Sequence, residues 1–107
     1  MTAPSGDPLA LLPAHELARR VRARELSAEE VLEACLERVE RLNPALNAVV
    51  TLDPRAREQA RGLDLRLARG EDPGILAGLP VGIKDVTQVG GLRCTFGSPL
   101  FADHVPE

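Results

Sequence analysis

Residues 75–85, Ile-Leu-Ala-Gly-Leu-Pro-Val-Gly-Ile-Lys-Asp, constrain the fold more than any other stretch, because from Ile75 to Ile83 they are apolar on both faces. A solvent-facing strand alternates and an amphipathic helix repeats at three and four. A run apolar throughout reads instead as a strand buried inside a parallel or mixed sheet. Such a strand needs neighbours, and the chain offers one other good candidate: Leu46 to Leu52, rich in β-branched residues and bounded by Pro44 and Pro54. The expected class is therefore α/β, with N-terminal helices and the first strands of a mixed sheet that is incomplete in this chain. Because Val105-Pro106-Glu107 reads as a surface connection, the 107 residues are expected to be the front end of a longer protein.

The helices are legible from caps and periodicity. Residues 1–12 read as a loose leader, and Pro13 suits the first turn of a helix through His15, Leu17, Ala18 and Val21 to about Arg24. Ser27 followed by Glu30 is a capping box, which starts a second helix. Its apolar stripe is Ala28, Val31, Leu32, Cys35, Val39 and Leu42, and it is expected to end before Asn43-Pro44. Asp53-Pro54 opens a third helix with Ala56, Ala60, Leu63 and Leu67 inward and Gly70 as its stop. Residues 13–107 are taken as one part of a single domain. Beyond Asp85 the sequence reads as loop, interrupted by Gly90-Gly91, Gly97, Pro99 and Pro106.

Composition excludes several functions. The net charge of −3 carries no basic field for phosphates, and without Trp or Tyr there is no platform for stacking bases, so nucleic-acid binding is not expected. Met1 to Asp7 lacks a signal-peptide pattern and Ile75 to Ile83 is too short to span a bilayer, which reads as a soluble, cytoplasmic protein. Cys35 and Cys94 fit neither a metal spacing nor a disulfide framework, and no metal or other cofactor is expected.

Of the 13 basic residues, Lys84 alone is lysine. A lysine at the end of a buried strand loses hydration, which disfavours its ammonium form and lets it act as a base. Equally, its stem could pack inside while its amine reaches solvent or pairs with Asp85. Gly78 to Lys84 fails as a phosphate loop, since Ile83 and Asp85 break the Gly-Lys-Ser/Thr succession. Cys94 with His104 and Asp103 has the residue types of a thiol nucleophile and its base but no local signature, so a loop thiol and a solvated histidine are preferred. Cys35 reads as a core residue, His15 as solvated, Ser5 as a leader residue and Ser27 as a cap.

Leu76-Ala77-Gly78-Leu79-Pro80-Val81-Gly82-Ile83-Lys84-Asp85, followed by Gly91 to Ser98, resembles the opening of the amidase signature family core. There a Leu-x-Gly-[Ile/Leu]-Pro-x-x-[Ile/Val]-Lys-Asp segment precedes a Thr-x-x-Gly-Ser turn. The upstream order agrees: Arg22 to Glu30 resembles the family's Arg-x-Gly/Glu-x-Leu-Ser-x-Glu-Glu. Arg38 to Ala48 resembles Arg-Ile/Val-x-x-x-Asn-Pro-x-Leu-Asn-Ala, and Ala60 to Asp64 an Ala-x-x-Leu-Asp helix. The likeness runs from about His15 onward.

The resemblance implies an α/β fold on a large mixed sheet and hydrolysis or transfer at a carboxamide by a Ser–cis-Ser–Lys triad, with Lys84 matching the lysine that deprotonates the bridging serine. It implies a small-molecule amide substrate and allows a homodimer of the full-length enzyme. The family's two serines lie in a Gly-Gly-Ser-Ser-Gly-rich segment, and no Gly-Ser-Ser occurs here. Ser98 matches the structural Gly-Ser turn. The segment alone is therefore expected to be inactive. Within the family, the glutaminase subunit of a tRNA-dependent amidotransferase is the alternative; those members often carry Lys-Asp-Asn where this chain has Lys84-Asp85-Val86, which leans towards a stand-alone amidase. From other classes, the second helix suits a protein-interaction module without catalysis, and Lys84 a Schiff-base enzyme.

Overall fold

The structure, a computed structural model, describes residues 7–107, and the segments with helical periodicity are helices. Helix α1 spans Asp7–Ala10, α2 Ala14–Arg22, α3 Ala28–Leu46 and α4 Ala56–Ala68; a single 3-10 turn covers Pro99–Phe101. The chain divides into two units. One comprises the residues up to Val49 together with Pro54–Pro80 and contains every α-helix; the other comprises Val50–Asp53 and Val81–Glu107. Of the expected leader, residues 1–6, Ser5 included, lie outside the described residues. The rest holds α1 and Leu12, which packs against the core.

The helical unit is organised around the start of α3. A helix leaves its first N–H groups without intrahelical partners. Here the capping box forms as expected: Ser27 Oγ accepts from the Glu30 N–H at 3.0 Å, and the Glu30 carboxylate accepts from the Ser27 N–H at 2.8 Å. The two donors between them are taken by Asp64, reaching across from α4, whose oxygens accept from Ala28 N–H at 2.7 Å and Glu29 N–H at 3.2 Å. The negative carboxylate at the positive end of α3 adds a dipole contribution. Ion pairs Arg57–Glu33 and Arg61–Glu29 line the same α3/α4 seam, but all four side chains are solvated and each pair contributes little.

The core lies where α2, α3 and α4 meet. Leu17 and Val21 of α2 pack with Ala28 and Val31 of α3, and Ala60, Leu63 and Leu67 of α4 close the cluster with Leu26 and Leu79. The first half of the α3 stripe is thus covered within the unit; Cys35, Val39 and Leu42 are only half-buried. Two helix ends use the same motif with different residues. After α4, Gly70 takes φ +82 and the Glu71 N–H bonds the Arg66 carbonyl. After α2, Arg24 takes φ +59 and the Glu25 N–H bonds the Arg20 carbonyl, a left-handed position that glycine occupies at lower cost.

The expected α/β class is overturned, because no strand forms among the described residues. The reasons are local. Helix α3 does not stop before Pro44 but runs on to Leu46, where Asn47 caps it at φ 48, so the front of the expected strand is helix. Asn43 then clamps Val49 with two 2.8 Å hydrogen bonds, donating to its carbonyl and accepting from its N–H. A side-chain amide thus takes the place of a ladder partner. In the apolar stretch, turns replace extension: Ala77 N–H bonds the Gly74 carbonyl, Leu79 N–H bonds the Leu76 carbonyl, and Gly74 and Gly78 adopt positive φ. Pro80 has no N–H to offer a ladder. Ile75 and Val81 remain 73% exposed, and only Ala77 is buried.

Gly78 is where the stretch meets the core, since a Cβ built on it would lie 2.7 Å from Val21 Cγ1, and Val21 is fully buried. With φ +79 strained for an L residue as well, Gly78→Ala is expected to lower stability by about 1–3 kcal/mol. Asp64→Ala strips two α3 donors of their partner and is expected to cost about 1–2 kcal/mol. Thermal unfolding followed at 222 nm checks both; unchanged midpoints would contradict the packing and capping roles.

Candidate active site

In the second unit, the side chain that organises the loops is Asp85, directly after Lys84. Its Oδ1 accepts from the Thr95 N–H at 2.8 Å and the Phe96 N–H at 3.3 Å, and its Oδ2 accepts from the Thr95 hydroxyl at 2.5 Å. The Cys94 thiol lies by the same carboxylate and favours its charged form. The Thr95 hydroxyl, the Cys94 thiol and the two backbone donors hold the Asp85 carboxyl at about 2, below its ordinary 3.8, with desolvation opposing them.

The turn that binds Asp85 is itself fixed. Thr95 Oγ1 accepts from the Gly97 N–H at 3.3 Å, and the Thr95 carbonyl accepts from the Ser98 N–H at 2.9 Å. Phe96 and Gly97 supply the left-handed backbone at φ 52 and φ 68. Cys94 N–H bonds the His104 carbonyl at 3.0 Å, Arg93 Nε donates to the Ala102 carbonyl, and Gly91 N–H bonds the Pro106 carbonyl at 2.8 Å. Phe96, Phe101 and His104 form a ring cluster, with the two phenyl rings edge-on at 5.3 Å between centroids.

Lys84 stands on an exposed turn, its carbonyl accepting from the N–H groups of Val86 at 2.8 Å and Thr87 at 2.9 Å. The buried strand end expected for it is absent. Its ion pair with Asp85 is absent too: among the described residues no carboxylate pairs with the Lys84 amine, because the Asp85 carboxylate is taken up by the 94–96 turn. Cys94 and His104, whose catalytic pairing the sequence did not favour, do not pair through their side chains. The His104 ring nitrogen pairs with Gln88 Oε1 at 3.0 Å, and Cys94 is 3% exposed. Burial, and secondarily the Asp85 carboxylate, push the Cys94 thiol up, away from the thiolate that a nucleophile needs. Burial pushes the half-buried Cys35 thiol up as well. Ser98 caps the 3-10 turn by accepting from the Leu100 N–H at 3.2 Å. His15 is exposed, as expected.

The Asp85–Thr95–Cys94 cluster was not legible from the residues. A contact spanning ten positions between two loops leaves no periodicity. The available signal was the shared presence of the Lys-Asp pair and the Gly-Ser turn in one ordered pattern.

The model of the family described as Amidase matches residues 30–107. The chain belongs to the amidase family. It is 45% identical over 91 residues to the glutamyl-tRNA(Gln) amidotransferase A-subunit of Bdellovibrio bacteriovorus, a match covering 85% of this chain and 19% of that relative. The A-subunit of the same name from Carboxydothermus hydrogenoformans is 41% identical over 96 residues, covering 89% and 20%, and that of Acidothermus cellulolyticus 44% over 92 residues, covering 85% and 18%. The chain spans about a fifth of the length of the curated relatives it matches. No solved structure matches it. No helix among the described residues is long and apolar enough to cross a membrane.

The folded Asp85 carboxyl titrates below its ordinary value, so the stability it contributes is present above about pH 4 and is lost as pH falls towards about 2. The Thr95 amide resonance is expected to hold its position from pH 7 to about 4 and to move below it. In Asp85→Asn this acid-side movement is expected to vanish. A Thr95 resonance that titrates identically in both proteins would contradict the assignment.

Proposed function

We propose that this segment supplies the lysine base of an enzyme that cleaves or transfers at a carboxamide C–N bond. The observation that carries the reading is the Lys84 amine, without a carboxylate among the described residues, in a segment matched by the family model and beside a carboxylate fully engaged elsewhere. In the proposed chemistry, Lys84 takes the proton of a bridging serine, which takes that of the nucleophilic serine. The nucleophile attacks the carboxamide carbon, and the proton returns by the same path to the departing nitrogen as the C–N bond breaks. No Gly-Ser-Ser run occurs in the 107 residues, so this reading assigns both serines to other parts of the enzyme; Ser98, in the motif's Gly-Ser turn, is committed to a cap.

Among carboxamide enzymes, the names of the relatives favour the A-subunit of a glutamyl-tRNA(Gln) amidotransferase over the stand-alone amidase suggested by Val86. On that reading the amide is donated by a small molecule, glutamine, and further subunits receive the ammonia.

A lysine serves as a base by giving up and regaining a proton, which a guanidinium does not do. In the full-length enzyme, Lys84→Ala is expected to lower kcat by roughly a thousandfold or more, and Lys84→Arg by nearly as much. The 107 residues alone are expected to show no turnover. Steady-state kinetics on one amide substrate decide it: near-normal activity in Lys84→Arg would sink the base assignment, and turnover by the isolated chain would sink the division of labour.

A further inference from the structure

Among the described residues, the segment 81–87 that carries Lys84 is hydrogen-bonded to the rest of its unit through one side chain. The carbonyl of Lys84 bonds only within the segment, to Val86 and Thr87. Val81, Gly82 and Ile83 are exposed and make no hydrogen bond among the described residues. Asp85 alone reaches out by hydrogen bonds, and its three donors are the Thr95 N–H, the Thr95 hydroxyl and the Phe96 N–H. Of these, the Thr95 hydroxyl makes the shortest contact. It is also the one group that faces both ways, donating to Asp85 at 2.5 Å and accepting from the Gly97 N–H at 3.3 Å. Thr95 thereby links the Lys84 turn to the left-handed turn at Phe96 and Gly97.

We propose that Thr95 is a positioning residue for Lys84, its hydroxyl clasping Asp85 so that the backbone before it presents the lysine amine in one place and without a carboxylate partner. The inference rests on the reading of Lys84 as the base. It adds that the hydroxyl, not the bulk, of Thr95 does the positioning. Losing the hydroxyl has two consequences for the base: the turn keeps only the two backbone N–H groups as its tether, and the Asp85 Oδ2 that the hydroxyl held is freed one residue from the amine.

Valine keeps the shape of threonine and removes the hydroxyl; serine keeps the hydroxyl. In the 107-residue chain, hydrogen exchange of the Val86 and Thr87 amides is expected to quicken about tenfold or more in Thr95→Val and to stay within about threefold of the parent in Thr95→Ser. Circular dichroism reports the α-helices, all of which lie in the other unit, and verifies that this unit is intact, while parent-like amide dispersion of residues 88–107 verifies that the unit carrying Thr95 still folds. In the full-length enzyme, Thr95→Val is expected to lower kcat about ten- to a hundredfold with KM unchanged, and Thr95→Ser to restore most of it. Parent-like exchange or parent-like kcat in Thr95→Val overturns the proposal, as does a Thr95→Ser that behaves like Thr95→Val. If Lys84→Ala is fully active, the base reading fails, and the exchange data still report whether the clasp exists. If Lys84→Ala is inactive and Thr95→Val is not, the base reading stands and the positioning role falls.

Discussion

In each unit the structure depends on a carboxylate that accepts two consecutive backbone N–H groups. Asp64 takes those of Ala28 and Glu29; Asp85 takes those of Thr95 and Phe96. Backbone donors need partners, and regular structure usually supplies them. Here the donors in question sit where it cannot: at the start of a helix, and in a turn with positive φ at Phe96 and Gly97. A carboxylate is the side chain best able to satisfy two of them at once, because both of its oxygens accept and its charge strengthens each bond. Removing either aspartate would leave two backbone donors without their acceptor.

The two aspartates do different work because their surroundings differ. Asp64 acts on a helix already capped by Ser27 and Glu30, and completes a set in which the first N–H groups of α3 all have partners. Its effect is to register α4 on α3, so that Ala60, Leu63 and Leu67 meet Leu17, Val21 and Val31. Asp85 acts between loops, and among the described residues it makes the hydrogen bonds that join residues 81–87 to the 94–98 turn. One carboxylate therefore refines a structure held by apolar packing, whereas the other substitutes for packing.

This difference explains what the sequence revealed. Caps and stripes are local, and they were legible: the capping box at Ser27, the stripe of Ala28, Val31 and Leu32, the inward Leu63 and Leu67, and the stop at Gly70. The strands were not, because strand formation depends on partners that no local pattern encodes. The stretch Ile75 to Ile83 has the composition of a buried strand, yet Gly74, Gly78 and Pro80 turn it wherever no ladder opposes them. At Leu46 the expected strand lost to α3, which runs past Pro44 to a left-handed cap at Asn47, while Asn43 occupies the backbone of Val49. Of the site, Lys84 stood out by composition, whereas the clasp beside it is a contact between loops.

The environment of Lys84 sharpens what its singularity means. Arginines serve this chain as surface cations: Arg19 and Arg20 on Glu16, Arg57 on Glu33, Arg61 on Glu29, Arg66 on Glu71. A position that needed only an exposed cation would be served equally by arginine, the residue used at the other 12 basic positions. Lys84 is exposed and holds no carboxylate among the described residues, so neither burial nor ion pairing explains lysine there. What lysine has and arginine lacks is an amine that can release its proton. A paired Asp85 would work against that property, since a neighbouring carboxylate favours the ammonium. In this fold the Asp85 carboxylate is committed to Thr95 and Phe96, and the one lysine of the chain stands exposed beside it with no carboxylate partner among the described residues, a placement that arginine's ion pairs elsewhere in the chain do not share.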